Sequence, residues 1–328
     1  MQTSSVAQVD AFADLVRGIR ANNACVGYAT STPPWSQRFA HRAELTLCTI
    51  LRGDAWITPC GGDPIRVRAG DIAIVRGPDP FVVADAPHRP PQITVDEDGP
   101  RPGTAAAGID PDTWPGPRLH ATIPAGASVL VMGAYRAPGD VCGRLLTALP
   151  PVVVVPGTHA PGAELALITS EVFTEQPGQQ VVLDRLLDLL LVCTLRIWFT
   201  LPDAEPPAWY QALADPTVGP ALRAIHDNPH KPWTVCSLAE VAGVSRATLA
   251  RRFTALVGEP PLTYLTDWRM TLAADLLKRS GNSIASVAAT VGYSDAFAFS
   301  TAFKRLRGTT PSQYQKRDRA QTDRATPS

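Results

Sequence analysis

Apolar residues recur along this chain with two different periods, and the change of period divides it. Near the start Phe12, Leu15, Val16 and Ile19 share one face at helical spacing, which predicts a short amphipathic helix over Val9 to Asn22. The period then shortens. Glu44–Leu51, Ala55–Thr58, Ile65–Arg68, Ile72–Arg76 and Phe81–Ala84 are short runs of strand formers separated by Gly53-Asp54, Gly61-Gly62-Asp63 and Gly70-Asp71. Short strands at this spacing with Gly/Asp turns argue for a small β-barrel or sandwich. Ala86 to Pro117 is rich in Pro, Gly and Asp and predicts a long exposed loop, after which strands resume at Leu119–Ile123 and Ser128–Tyr135. Helical patterns follow at Gly162–Thr174 and Gln179–Phe199. Leu201 to Pro207, with three prolines and two acids, has the composition of a linker.

From Trp209 onward the pattern is helical: Thr217–Asn228, then Leu238–Ala242, Ser245–Leu256, Leu262–Ser280, Ser283–Val291 and Ser294–Leu306. Ser237 is a candidate N-cap and Gly281 a candidate C-cap. Within this stretch the chain repeats itself. Leu238-Ala239-x-x-Ala242-Gly243-Val244-Ser245 aligns with Val287-Ala288-x-x-Val291-Gly292-Tyr293-Ser294 at an offset of 49, and Leu249-x-x-x-Phe253 with Phe299-x-x-x-Phe303 at 50. One residue is therefore inserted after Ser294. Each copy has the parts of a helix-turn-helix. Ala239 and Ala288 permit close helix approach, Gly243 and Gly292 stand where the turn needs a positive φ, and Ser245 and Ser294 can cap the next helix. The helix joining the copies, at 1.5 Å per residue, spans about 28 Å, close to the roughly 34 Å repeat of B-DNA.

Charge sharpens this picture. The 328 residues sum to zero net charge, but residues 1–216 carry 15 Lys+Arg against 22 Asp+Glu, and residues 217–328 carry 15 against 8. The basic end matches a polyanionic partner. The most apolar stretch, Val181 to Phe199, contains Asp184, Arg185, Asp188 and Arg196 and suits a buried helix, not a membrane span. No basic segment followed by an apolar run marks a secretory signal, so the cytoplasm is the expected location. Cys25, Cys48, Cys60, Cys142, Cys193 and Cys236 show no CxxC spacing, which argues against a zinc site or disulfide framework.

Residues from about Thr217 to Arg317 resemble the AraC/XylS-type DNA-binding domain. The resemblance is carried by Trp233-Thr234-Val235, Val244-Ser245-Arg246-Ala247-Thr248-Leu249-Ala250-Arg251-Arg252-Phe253, Gly258-Glu-Pro-Pro-Leu-x-Tyr264, Trp268-Arg269-Met270, Val291-Gly292-Tyr293-Ser294, Ala302-Phe303-Lys304-Arg305 and Gly308-Thr-Thr-Pro311-Ser-x-Tyr314. It implies a transcriptional regulator that lays two helices in successive major grooves of double-stranded DNA and acts with RNA polymerase. In the first unit Ala247, Ala250 and Arg251 form the exposed stripe. Arg251 is the candidate for a bidentate guanine contact, the alanines for thymine methyls, and Arg246, Thr248 and Arg252 for phosphates. The second unit offers Ser294, Ala296, Phe297, Ser300 and Thr301, with no cation before Lys304, and so promises less discrimination. Asp295 can accept from cytosine or cap the helix, and the cap is the favoured reading.

The N-terminal half resembles the cupin-like sensor domain of one AraC subgroup. The match rests on Leu47-x-x-Ile50-Leu51-Arg52-Gly53-x-Ala55-Trp56, Val67-x-x-Gly70-Asp71, Gly133-Ala134-Tyr135 and Leu145-Leu146-x-x-Leu149-Pro150-Pro151. Many cupins are metalloenzymes with a His-x-His set. None occurs here, and His41, His88, His120 and His159 are isolated, so neither a metal, a cofactor nor an enzyme activity is expected. A cupin-fold metalloenzyme with a helical appendage is the rival reading. A small organic effector in an apolar pocket lined by Trp35, Trp56 or Tyr135 is the expected signal, with a purely structural or dimerising domain and thiol redox sensing the alternatives. Cys48 and Cys193 read as buried, Cys25, Cys60 and Cys142 as exposed. The expected fold class is α+β. A cupin-like β-barrel with helices (1–200), a linker (201–216), an all-α domain with two helix-turn-helix units (217–318) and a tail (319–328) make up a homodimeric regulator.

Overall fold

The β-rich runs pair into two sheets whose inner faces share one core. The computed structural model describes residues 12, 16, 19–21, 29–31, 33–96, 99–102, 127–136, 139–172, 174, 176–202, 204–279 and 281–317. By contacts these form two units: the described residues within 1–18, 138–145 and 206–328 make a helical unit, and those within 19–137 and 146–205 a sheet unit.

In the sheet unit the strands are β1 (Arg20–Ala21), β2 (Ala29–Ser31), β3 (Ser36–Phe39), β4 (Leu45–Arg52), β5 (Asp54–Pro59), β6 (Ile65–Arg68), β7 (Ile72–Arg76), β8 (Phe81–Ala84), β9 (Ile93–Asp96), β10 (Gly99–Pro102), β11 (Ser128–Arg136) and β12 (Val152–Val155). One sheet runs β1-β11-β4-β7-β12 with β2 also on β11, and the other runs β10-β9-β3-β8-β5-β6. Pairing is antiparallel except between β3 and β9. Alternation sends Cys48, Ile50, Val75, Leu130 and Met132 from the first sheet against Trp35, Phe39, Ala55, Ile57, Val67, Phe81 and Val83 from the second. Three helices belong by sequence to this half: α1 (Asp140–Ala148), α2 (Gly162–Val172) and α3 (Gln179–Trp198). The outer face of the first sheet meets α3, where the Tyr135 hydroxyl donates to the Leu187 carbonyl at 2.7 Å.

Four expectations are corrected. The first helix stops short of Asn22: Phe12 and Val16 are helical, but Arg20–Ala21 pair with β11. Ala86 to Pro117 is not all loop, because Ile93–Asp96 and Gly99–Pro102 form an antiparallel hairpin despite their prolines. Pro100 and Pro102 sit on β10, the outermost strand in the order, where a missing N–H is tolerated. Cys142 is buried in the first turn of α1. Ser237 is the third residue of its helix, not the cap. The expected strand Leu119–Ile123 and Cys25 and His120 lie outside the described residues.

The helical unit continues with α4 (Ala208–Leu213), α5 (Val218–Asp227), α6 (Val235–Val241), α7 (Arg246–Val257), α8 (Pro261–Lys278), α9 (Ile284–Thr290) and α10 (Ala296–Arg307), and residues 311–317 are also helical. Polar caps start the short helices. Thr234 and Ser237 bond each other's backbone in a capping box ahead of α6, and Ser245 and Ser283 accept from the N–H three residues on. Ala239 and Ala288 are buried at the helix crossings, as their size anticipates. Leu249 and Phe253 bury the inner face of α7. Phe299 and Phe303 do the same for α10, against Met270, Ala273, Ala274 and Leu277 of α8.

His226 on α5 is enclosed beneath this layer, its ring 4.3 Å from that of Trp268 and its Nε2 2.8 Å from the Tyr264 hydroxyl. Burial, aided by nearby Arg144, pushes its pKa down to about 3 from 6.5. The unfolded chain therefore takes up a proton below pH 6.5 that the folded chain refuses until about pH 3. Stability is full above pH 6.5 and falls as pH drops through that window, by at most about 1.4 kcal/mol per pH unit. Urea unfolding at pH 7.5 and 5.0 should show the helical unit weaker at pH 5.0. His226→Gln, which keeps a hydrogen-bonding side chain, should flatten the difference. Parallel pH profiles for the two proteins would refute the assignment.

Candidate nucleic-acid interface

Each helix-turn-helix presents the outer face of its second helix to solvent, α7 in the first and α10 in the second. Burying Leu249 and Phe253 on one side of α7 leaves Arg246, Ala247 and Arg251 exposed, with Thr248 and Ala250 half-buried. Ser245 caps the helix, and its hydroxyl also meets that of Thr248 at 2.9 Å. Among the described residues Arg246 and Arg251 make no ion pair, so both guanidinium groups keep their donors.

Arg252 differs. Its Nε and Nη2 fork onto the Asp215 carboxylate at 3.0 and 2.7 Å. Asp215 also accepts from the backbone N–H of Thr217 and Val218, both at 2.9 Å, and so fixes the start of α5. The Arg252 hydrogen bond, with these N–H groups, holds the Asp215 pKa down at about 2. Arg252 thus ties α7 to the α4–α5 turn, a role its sequence position does not reveal, since its partner lies 37 residues away.

In the second unit the cap is Asp295, accepting from Phe297 N–H at 3.1 Å and Ala298 N–H at 2.9 Å. These bonds hold its carboxyl below the usual range. The expected Ser294 cap is displaced by the one residue inserted in this copy. Ser294, Phe297, Thr301 and Lys304 are exposed, and Ala296 and Ser300 half-buried. Phe297 is 79% exposed, so it does not serve the core. The Ser300 hydroxyl donates to Ala296 carbonyl at 2.8 Å and that of Thr301 to Phe297 carbonyl at 3.0 Å. With their protons turned into the helix, both hydroxyls offer acceptors outward.

The two copies are locked by a joint that sequence reasoning did not find. Arg269 of α8 donates to the carbonyls of Pro229 and Lys231 at 2.6 and 2.7 Å, and its guanidinium lies 5.7 Å from the Tyr293 ring. The segment ahead of α6 is thereby held beside the turn of the second copy. Gly292 packs there so closely that an added Cβ would stand 2.4 Å from the His230 carbonyl oxygen.

The three effector candidates do not converge. Trp35 lies in the core between the sheets, Trp56 is half-buried on β5 outside that core, and Tyr135 is turned to α3. A cleft of about 360 Å³ lies elsewhere in the sheet unit, lined by Pro59, Cys60, Val75, Arg76, Phe81 and Pro151, among others. Burial pushes the Cys48 thiol up to about 12, which leaves it protonated, and the Cys193 thiol is also raised, mainly by burial and then by Glu164. Cys60 and Cys236 are exposed. Among the described residues no three His, Cys, Asp or Glu side chains gather in a way that could hold a metal ion.

Comparison with known proteins assigns a family to each half of the chain. The cupin family profile matches residues 10–200, and a helix-turn-helix domain profile matches residues 238–317. An AraC-like transcription regulator of Streptomyces lividans is 33% identical over 292 residues, covering 86% of this chain and 90% of its own. The HTH-type transcriptional regulator AlkR of Acinetobacter baylyi is 31% identical over 318 residues, covering 94% and 99%. Among solved structures, the DNA-binding domain of AdpA in complex with a target DNA is 32% identical, covers 33% of this chain and 96% of its own, and has a TM-score of 0.32. The chain belongs to the AraC family of DNA-binding transcriptional regulators, with a cupin-like N-terminal domain ahead of its paired helix-turn-helix units.

Proposed function

We propose that this regulator reads DNA asymmetrically, with α7 supplying most of the sequence discrimination and α10 a softer, shape-tolerant contact. The observation that carries this is the contrast between exposed, unpaired Arg251 on α7 and exposed Phe297 on α10. Arg251 pairs with a guanine edge, while Ala247 and Ala250 leave room for thymine methyls. Arg246, Thr248 and Lys304 meet phosphates. On α10 Ala296 and Phe297 contact apolar base surface, and Ser294, Ser300 and Thr301 accept from exocyclic amines. Arg252 acts chiefly through Asp215, bracing α7 for phosphate contact.

The regulator works in the cytoplasm as a homodimer, engages RNA polymerase, and performs no chemistry of its own. No helix among the described residues is long and apolar enough to cross a membrane. Self-association is supported by Val182 and Leu189 on α3 and Leu167 on α2, large apolar side chains about half exposed in the single chain. The signal is a small organic effector, for which the cleft of Pro59, Val75, Arg76 and Phe81 offers a single cavity of mixed polar and apolar lining, which the scattered Trp35, Trp56 and Tyr135 do not. His41, packed edge-on to Phe39 and Phe81, supports a packing role for that histidine over metal binding. The test is capture of sheared genomic DNA by the purified full chain, followed by sequencing and footprinting. Enriched fragments should share a motif with one well-defined guanine-containing half and one degenerate half. Two equally defined halves would overturn the asymmetry. A tightly held transition metal in each purified chain would favour the enzyme reading.

A further inference from the structure

The first half of α1 lies within the span that matches the cupin profile, yet it groups with the helical unit. Gly139 and Asp140 open this helix against α8. The Asp275 carboxylate accepts from the backbone N–H of Asp140 at 2.5 Å and of Val141 at 3.1 Å, capping α1 from another element. The fit admits only glycine before it: Gly139 has φ +104°, and an added Cβ would stand 2.6 to 2.8 Å from the Asp275 carboxylate. The Asp140 carboxylate in turn collects three partners. Lys278 Nζ at the end of α8 lies at 3.0 Å, the Tyr314 hydroxyl at 2.9 Å, and Nη1 of Arg307, the last residue of α10, at 3.1 Å. Arg307 Nη2 also donates to Thr271 of α8 at 2.9 Å. One turn on, Arg144 pairs with Asp267 at 2.7 Å and lies over the Tyr264 and Trp268 rings.

We infer that Asp140, seated by Gly139 and Asp275, is a positioning residue for DNA recognition: it fastens the C-terminal end of α10 to α8 and so fixes where the second recognition helix stands. The inference rests on the reading of α10 as a DNA-contacting helix. Its physical basis is that the Asp140 carboxylate stands between two cations, Lys278 and Arg307, from the two helices that must keep register, while Asp275 reaches Lys278 only at 3.9 Å. Without it these cations repel, and Tyr314 loses its acceptor. Arg144 holds the other end of the segment near the first copy, so losing Asp140 frees α10 without freeing α7.

The test uses the full chain carrying Asp140→Asn, with Asp140→Glu as the conservative rescue. Asp54→Asn, at an exposed pair with Arg66, is the control. Lys278→Gln is the second variant should Asp140→Asn fold poorly. Hydrogen exchange without DNA should rise at least about tenfold in amides of 296–314 and stay unchanged in 246–257. On genomic duplexes enriched by the wild-type chain, Asp140→Asn should lose footprint protection in one of two adjacent grooves and keep the other, and Asp140→Glu should restore part of it. Unchanged exchange in α10, or equal weakening of both grooves, overturns the inference. Failure of the wild-type chain to enrich any duplex would instead strike the DNA reading, leaving the exchange result to judge Asp140.

Discussion

Gly292→Ala is expected to abolish operator binding and destabilise the helical unit by more than about 4 kcal/mol, whereas Gly243→Ala should cost about 1–2 kcal/mol. The two glycines occupy the same place in the repeat, with φ +84° and +66°, and both lose the left-handed conformation's freedom from a Cβ. Their surroundings differ. A Cβ at Gly243 meets nothing within 4 Å, while one at Gly292 falls 2.4 Å from the oxygen and 2.8 Å from the carbonyl carbon and Cα of His230. These are backbone atoms held by Arg269 through the flanking carbonyls of Pro229 and Lys231, so they cannot swing aside as a side-chain tip would. Urea unfolding of the two variants, read by hydrogen exchange in the helical unit, measures the difference. Equal losses would show that the second turn does not rest on His230.

Arg251→Ala should weaken binding to an operator duplex by about ten- to a hundredfold and relax preference at one guanine, since a bidentate Arg–guanine pair is worth about 1–3 kcal/mol. On scrambled duplex the loss should be small. Thr301→Ala should matter less, because its hydroxyl proton is already spent on the Phe297 carbonyl. Arg252→Ala should act differently again. It removes the fork to Asp215, so affinity should fall alike on operator and scrambled DNA, with α7 less firmly braced. Fluorescence anisotropy on both duplexes at one fixed salt concentration separates these outcomes. Equal loss on both DNAs for Arg251→Ala would mean that sequence is read elsewhere.

What could be read in the sequence was local. The two helix-turn-helix copies announce themselves because cap, alanine, glycine and apolar face lie within sixteen residues of one another, and each determines its own neighbourhood. Even the shift of the second cap to Asp295 was present as the inserted residue after Ser294. The strands with alternating apolar residues were equally visible. Hidden were features whose cause lies far along the chain. The hairpin of β9 and β10 carries prolines that read as loop until its edge position is known. Helix α1 is short, and its N-terminus is capped by Asp275, 135 residues away. Arg252 looks like any exposed cation until Asp215 folds beside it. Tyr135 is an aromatic on a sheet, and nothing local shows that it faces α3 and not the core containing Trp35.

The most direct measurement is the affinity of the full chain for a genomic duplex that it enriches, followed across salt from about 50 to 200 mM, the range in which counterion release is steep. If Arg246 on α7 and Lys304 on α10 both engage phosphates, log affinity should fall linearly with log salt at a slope of about −2 per bound chain, or roughly −4 for a homodimer, and scrambled DNA should bind much more weakly at every point. A chain that is folded, yet binds no duplex or binds with affinity independent of salt, would contradict the account.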